Sequence, residues 1–522
     1  MLSNYSSYKL LPLLLVSTIF TILTKSEETS SKNRLLLISF DGFRWDYLDN
    51  HKAETKNIQK LANLGLRAKW TKDQFITKTF PNHWTIATGL FEENHGIVNN
   101  HFWDPKFKKE FTYSNDDEFW SGEPIWNTFE KKDKFNRKSA TFFWPGSDVK
   151  KTAPSAYISP YDASIPFKTR ADRVISWLRN KDYGFISAYV NEPDHSGHQF
   201  GPDSPEVAEA IKRCDDFLGF ILQEVHKQKT FYEDLTIILT SDHGMTQLDE
   251  EKVVFLQEYL DPKILGEHYI DYYTGGHVWC DQTKNENDIS NCDKIYEQLK
   301  NVENLHVWRK GYSEAEGGIP EKFHYTNNYR IPPIVLNVDS PYQVHINKTS
   351  YHPLNGQHGF NNESPNMHPI FVAAGKEIKK FEEDVVEPFD SINLYSFFCK
   401  ILDVEPAPNN GSWENIEHFF KDDGIDWFYL GEIELGEHWG FQKVMGVICM
   451  FAGLVVALIS IFCIEDGEGN SEGKEYLILN DDLGNDAEWN GDVSESESSS
   501  KIQVSSFHVN KNSENQRTFV ID

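Results

Sequence analysis

The sequence predicts an α/β fold, with a mostly parallel central sheet and helices on both faces. It also predicts an N-terminal signal segment and one late membrane span. Three observations carry the sheet. Leu35–Phe40, Phe185–Val190 and Leu235–Thr240 are short apolar runs rich in branched or aromatic residues. Runs that are apolar on both faces belong to buried parallel strands. Helical periodicity lies between them, over Thr55–Leu64, Thr85–Leu90, Arg170–Leu178 and Pro205–Lys227, and strand alternating with helix is the signature of α/β architecture.

The elements follow in chain order. Leu10–Leu23 is an apolar run behind Lys9, too short for a comfortable span and placed like a secretory h-region. It predicts a signal peptide over residues 1–25. Residues 26–430 then form one extracellular domain. Within it, Val253–Tyr351 is rich in Asn, Gly, Pro and charge without a clean period. It reads as a partly irregular insertion that returns to the core at His358. Leu394–Leu402 reads as a late helix before a Pro/Asn/Gly loop. Residues 431–443 are a juxtamembrane linker. Val444–Ile464 carries no charge and is long enough to span a bilayer. Residues 465–522 are acidic and nearly free of aromatics, as expected of a disordered cytoplasmic tail. A cleaved signal with one late span predicts a single-pass type I protein of the plasma membrane.

The chain has 522 residues and a net charge of -29, from 51 basic and 80 acidic side chains. Such a chain repels a nucleic-acid backbone, so no nucleic-acid polymer is expected as a partner. Four cysteines precede the proposed span, an even number that suits an oxidising compartment. The polar stretch between Cys280 and Cys292 favours that pair as a disulfide, leaving Cys214 and Cys399 unassigned. Sequons at Asn347, Asn362 and Asn410 predict glycosylation.

Asp41, Asp194 and Asp242 each follow one of the three strand-like runs. Ligands gather at the carboxyl ends of strands in open α/β sheets, so three distant carboxylates converge on one rim. Asp194 and His198 stand one turn apart, His243 follows Asp242 directly, and His358 lies between Gly356 and Gly359. Three Asp and three His provide enough hard oxygen and borderline nitrogen for two zinc-like ions. Thr79 is the candidate nucleophile, and its hydroxyl adds a seventh candidate metal-site group. Pro81 can open the following helix and leave backbone N–H groups for a phosphate. Asn100 is a candidate oxyanion donor. His83 and His195 drop out as bystanders.

The strings Ser39–Arg44, Lys78–His83, Thr88-Gly89-Leu90, His95–Asn100, Trp144–Ser147, Glu192–His198, Ser241–Met245, His358–Phe360 and Pro406–Gly411 together resemble the ecto-nucleotide pyrophosphatase/phosphodiesterase family of the alkaline phosphatase superfamily. In architecture the chain is similar to its short type I membrane members, the fourth and fifth. The resemblance implies one zinc on Asp194, His198 and His358. It implies a second on Asp41, Asp242 and His243, with Thr79 as nucleophile and Asn100 as oxyanion donor. Phe80 and Tyr161 match positions that sandwich a nucleobase. Asn361 departs from the family's usual Asp and is not expected to be a ligand. The implied reaction is a double displacement through a phosphothreonyl intermediate. Implied substrates are extracellular nucleotides such as ATP, ADP, NAD and dinucleotide polyphosphates. Choline phosphodiesters are the alternative within the family. A non-catalytic binding ectodomain is the alternative of another class.

Overall fold

Arg34–Phe40 is buried at every position, because helices cover both faces of the strand, and its two polar side chains, Arg34 and Ser39, are hydrogen-bonded inside. In this computed structural model, which describes residues 32–421 apart from 284–289, 350 and 382–384, seven strands build the main sheet. They are β1 (Arg34–Phe40), β2 (Leu66–Ala68), β3 (Lys138–Phe142), β4 (Ala156–Ile158), β5 (Tyr183–Val190), β6 (Leu235–Thr240) and β7 (Phe371–Ala374). Their order is β2-β7-β6-β1-β5-β3-β4. β1 lies at the centre and pairs in parallel with β5 and β6. β3 continues the parallel set beside β5. β7 alone runs against its neighbours β6 and β2.

The main helices are α1 (Lys56–Leu64), α2 (Thr79–Thr88), α3 (Ile125–Lys132), α4 (Phe167–Leu178), α5 (Asp194–Phe200), α6 (Pro205–Lys227) and α7 (Leu394–Leu402). Alternation along β1 divides the core. Leu35 and Leu37 pack with Trp84, Trp126 and Phe398, from α2, α3 and α7. Leu36, Ile38 and Phe40 pack with Ile58, Val174 and Phe217, from α1, α4 and α6. Helices therefore cover both faces, as the sequence predicts.

The stretch read as a partly irregular insertion is more ordered than its composition suggests. Ile270–Asp271, Gly275–Val278, Ile334–Val338 and Leu305–Arg309 form an antiparallel sheet in that order. With the helix Asn291–Leu299 it closes a separate small core around Leu256, Val278, Ile295 and Leu336. Long polar loops between short strands hid its period. A disulfide joins Cys280 and Cys292, with Cα atoms 5.3 Å apart, while Cys214 and Cys399 are buried free thiols.

No helix among the described residues is long and apolar enough to cross a membrane. The signal segment and the span at 444–464 lie outside the described residues.

Candidate active site

Asp41, Asp194 and Asp242 stand just past the carboxyl ends of β1, β5 and β6. Backbone bonds lock these three turns together. Asp41 N–H donates to Val190 O at 2.9 Å, and Asp194 N–H donates to Asp41 O at 3.0 Å. Gly42 N–H donates to Asp242 Oδ1 at 3.2 Å, and Phe43 N–H to Ser241 Oγ at 2.9 Å. Gly42 must be glycine, because its φ is +64° and a Cβ there would lie 2.8 Å from Asp194 Cβ. Gly244 is needed for a different reason: its Cβ would meet Asn366 O at 2.0 Å.

His358 arrives from the end of the insertion. The short strand Gly356–Gln357 pairs with Thr246–Gln247, just beyond His243. His198 Nδ1 donates to Gly356 O (2.9 Å), His243 Nδ1 to Gly244 O (2.9 Å) and His358 Nδ1 to Thr77 O (2.8 Å). A carbonyl only accepts, so each Nδ1 carries a proton, and Nε2 is the ring atom turned toward the carboxylates. Backbone anchoring of this kind orients metal-binding imidazoles.

Among the described residues, two groups of side chains could hold a metal ion: Asp194, His243 and His358, and Asp41, Asp242 and His243. In each, the ligand atoms lie within 4.8 Å of one another. His198 adjoins the first group, with Nε2 3.3 Å from Asp194 Oδ2. Asp194 Oδ1, His198 Nε2, Asp242 Oδ2 and His358 Nε2 are all buried without a hydrogen bond. Buried polar atoms are rarely left so, and one cation in each group would satisfy all four between them. The residues fit a metal pair.

Electrostatics agrees. Burial disfavours the charge on Asp242, yet His243 and His83 outweigh it and hold the carboxyl well below its usual range. Burial of Asp194 is likewise outweighed by His198, and that carboxyl is lowered too. Burial, with His243 and Lys78 beside it, keeps His358 far below the usual imidazole range, so it is neutral and able to donate a lone pair.

Thr79 is the first residue of α2, and its Oγ1 lies 3.3 Å from His243 Nε2. α2 begins two residues earlier than Pro81 suggests, and the expected N–H array is thinner than the sequence reading allows. Pro81 has no N–H, and Phe80 N–H is taken by Asn100 Oδ1 at 2.8 Å. That bond fixes the amide orientation, so Asn100 keeps its NH₂ end for another acceptor.

Phe80 is half-buried, 4.9 Å from the ring of Tyr113. Tyr161 is half exposed and packs 5.0 Å from Phe143 and 6.1 Å from Tyr189. Asn361 accepts from Glu363 N–H and takes no part in the metal groups. His195 faces Gln199 on the exposed side of α5.

His83 does not stand apart, despite the sequence reading: its Nδ1 is 3.3 Å from Asp242 Oδ2. Tyr189, not singled out in the sequence, donates its hydroxyl to Asp41 Oδ2 at 2.5 Å. The His83 signal was its i+4 spacing from Thr79. The Tyr189 signal was a hydroxyl next to the last residue of a mostly apolar strand, shortly before the turn that leads to Asp194.

Among the sequons, Asn410 is exposed and Asn347 partly so. Asn362 is a correction. It is 3 % exposed, and its Nδ2, the atom that would bear a glycan, donates to Asp73 O at 2.8 Å.

The type I phosphodiesterase / nucleotide pyrophosphatase profile matches residues 35–361, the stretch that contains every one of these ligands. The chain belongs to that family. Human ectonucleotide pyrophosphatase/phosphodiesterase family member 5 is 37% identical over 421 residues, covering 77% of this chain and 82% of that protein. Human bis(5'-adenosyl)-triphosphatase is 36% identical over 423 residues, covering 78% and 86%. Among solved structures, murine family member 5, as an inactive threonine-to-alanine variant in complex with AMP, aligns with a TM-score of 0.66 at 35% identity. It covers 74% of this chain and 100% of that one. As a phosphodiesterase/nucleotide pyrophosphatase, the chain is a phosphoric diester hydrolase on an alkaline-phosphatase-like α/β scaffold.

Proposed function

We propose that this phosphodiesterase hydrolyses phosphodiester or pyrophosphate bonds of extracellular nucleotides, with two zinc ions and a covalent intermediate on Thr79. The observation that carries the reading is the placement of Thr79 Oγ1, 3.3 Å from His243 Nε2 at the mouth of two buried ligand groups. Asp194, His198 and His358 would hold one ion, and Asp41, Asp242 and His243 the other. When bound, the ions would supply Lewis acidity and lower the pKa of the reacting hydroxyl.

The chain's own residues do the rest. Thr79 Oγ1 attacks phosphorus in line, forming the threonine–phosphate bond as the bond to the leaving alcohol or phosphate breaks. Its proton leaves to solvent. Water then attacks the phosphothreonine, releasing the nucleotide and restoring the hydroxyl. Asn100 NH₂ stabilises a non-bridging oxygen in both steps. Phe80 and the exposed Tyr161 ring offer stacking faces for a base, worth ~1–3 kcal/mol per base. The AMP held by the murine relative and the substrate named in the human triphosphatase support a nucleotide, dinucleotide polyphosphates included.

The apolar segments at 10–23 and 444–464 support a type I plasma-membrane enzyme with its site outside the cell. Asn347 and Asn410 would carry its glycans. The full-length chain in detergent, assayed on ATP, diadenosine triphosphate, NAD and a lysophosphocholine ester with and without chelator, tests the reading. Nucleotide turnover that chelator abolishes and zinc restores is expected. Turnover of the choline ester alone would transfer the site to choline phosphodiesters, and fewer than two zinc ions without turnover would make it a binding ectodomain.

A further inference from the structure

Resting on the two-ion reading above, we propose that His83 and Tyr189 are a positioning pair that sets the two carboxylates on the nucleophile side of the site. Both side chains are buried, His83 completely and Tyr189 to 8 % exposure. They touch each other edge to face, with ring centroids 5.1 Å apart. Each reaches a different carboxylate of the same metal group. Tyr189 O–H donates to Asp41 Oδ2 at 2.5 Å. His83 Nδ1 lies 3.3 Å from Asp242 Oδ2.

The protonation of His83 follows from its partners. Nδ1 is 2.8 Å from Thr79 O, a carbonyl that can only accept, so Nδ1 carries the hydrogen. Nε2 then accepts from Ser39 Oγ at 2.8 Å. Both ring nitrogens are engaged, so His83 is no metal ligand. Its Nδ1 edge lies beside Asp242 Oδ2, while the ring ties together β1 through Ser39 and the first turn of α2 through Thr79. The residue that bears the nucleophile and the carboxylate beside it thus share one anchor.

The arrangement is one-sided. Asp194 contacts His198 and His358, themselves candidate ligands, at 3.3 and 3.6 Å. Its Oδ1 has no hydrogen bond. Among the described residues, only the Asp41–Asp242 side is bracketed by buried groups that cannot themselves ligate in this arrangement. Tyr189 holds the Asp41 oxygen other than the one nearest His243, and the His83 ring edge backs the Asp242 oxygen that faces His243. Loss of partners that set a ligand's orientation costs about 10–100-fold in metal affinity.

Tyr189→Phe and His83→Gln in the full-length protein test the pair, by zinc release under graded chelator and by melting temperature of the metal-free protein. The expected result is that each variant surrenders one of its two zinc ions at about 10–100-fold lower chelator activity. The other ion and the metal-free melting temperature are expected at wild-type values, and kcat is expected to fall with KM little changed. Wild-type release of both ions overturns the proposal. So does equal weakening of both ions with a lowered melting temperature, which marks ordinary packing. A wild-type protein that binds fewer than two zinc ions overturns the reading of the site itself, and this pair's role with it.

Discussion

His243 and His358 lie face to face, with ring centroids 3.5 Å apart and planes 11° from parallel. They come from the end of β6 and the end of the insertion, and the stack makes one wall common to both metal groups. His243 belongs geometrically to both. His243→Ala is therefore expected to weaken both zinc ions, and His198→Ala only one. Stepwise chelation of each variant checks this, and two ions held at wild-type strength in His243→Ala would refute it.

Thr79→Ala is expected to keep its zinc content and lose turnover by orders of magnitude, because the Asp and His side chains can hold the ions without it while the proposed reaction needs its hydroxyl as the attacking group. Metal analysis alongside kcat measures both. A rate near that of the wild type would end the nucleophile assignment.

Gly42→Ala is expected to damage stability and catalysis together. The left-handed backbone costs an L residue about 1–2 kcal/mol, and the new methyl group would press on the Asp194 side chain, with Cβ atoms 2.8 Å apart. Thermal melting and kcat report the two effects, and a variant that melts and turns over as the wild type does would show that the turn relaxes freely.

Acid lability has two named sources. Burial pushes His95 down to about 3, assisted by Arg330, and burial alone pushes His277 down to about 3. Both are neutral when folded, but the unfolded chain binds a proton at each below about 6.5. The unfolded state thus holds more protons, and stability falls as pH drops from about 6.5 towards 3. The slope is at most about 1.4 kcal/mol per pH unit for each histidine. Melting of metal-free protein between pH 7.5 and 4.5 should show this decline, shallower in His277→Gln. A flat profile would contradict it.

Asn362 is expected to carry no glycan in the folded, active protein, while Asn347 and Asn410 do. Peptide mass spectrometry with and without glycosidase decides, and a fully occupied Asn362 would mean that the Asp73 contact is not native.

The sheet centre and most of the site were legible because each rests on a local rule. β6, α6 and α7 have the bounds that their apolar periods mark. Carboxylates after buried strands fall at the rim, as the parallel sheet requires. β3 was illegible: Lys-Ser-Ala-Thr-Phe is polar by composition, and only its seat beside β5 buries Ser139 and Thr141. β7 is four residues long, too short for a period. The insertion sheet depends on pairings between distant short strands. His83 was dismissed because nothing in its own string shows that Asp242, far along the chain, ends beside it. Tertiary context likewise decides against Asn362, whose sequon is formally sound.

The ligands begin at Asp41 and end at His358, about three hundred residues later. At roughly 5–20 residues per second, a ribosome needs tens of seconds to cover that distance. Through that interval the emerging chain holds Asp41 and Thr79 and completes the Asp41, Asp242 and His243 group at residue 243, but it cannot close the group that needs His358. His358 also comes after the four-stranded insertion sheet. On the proposed two-ion mechanism, hydrolytic competence is therefore timed to the end of domain synthesis, and a chain truncated before residue 358 carries Thr79 with only one of the two ligand groups complete.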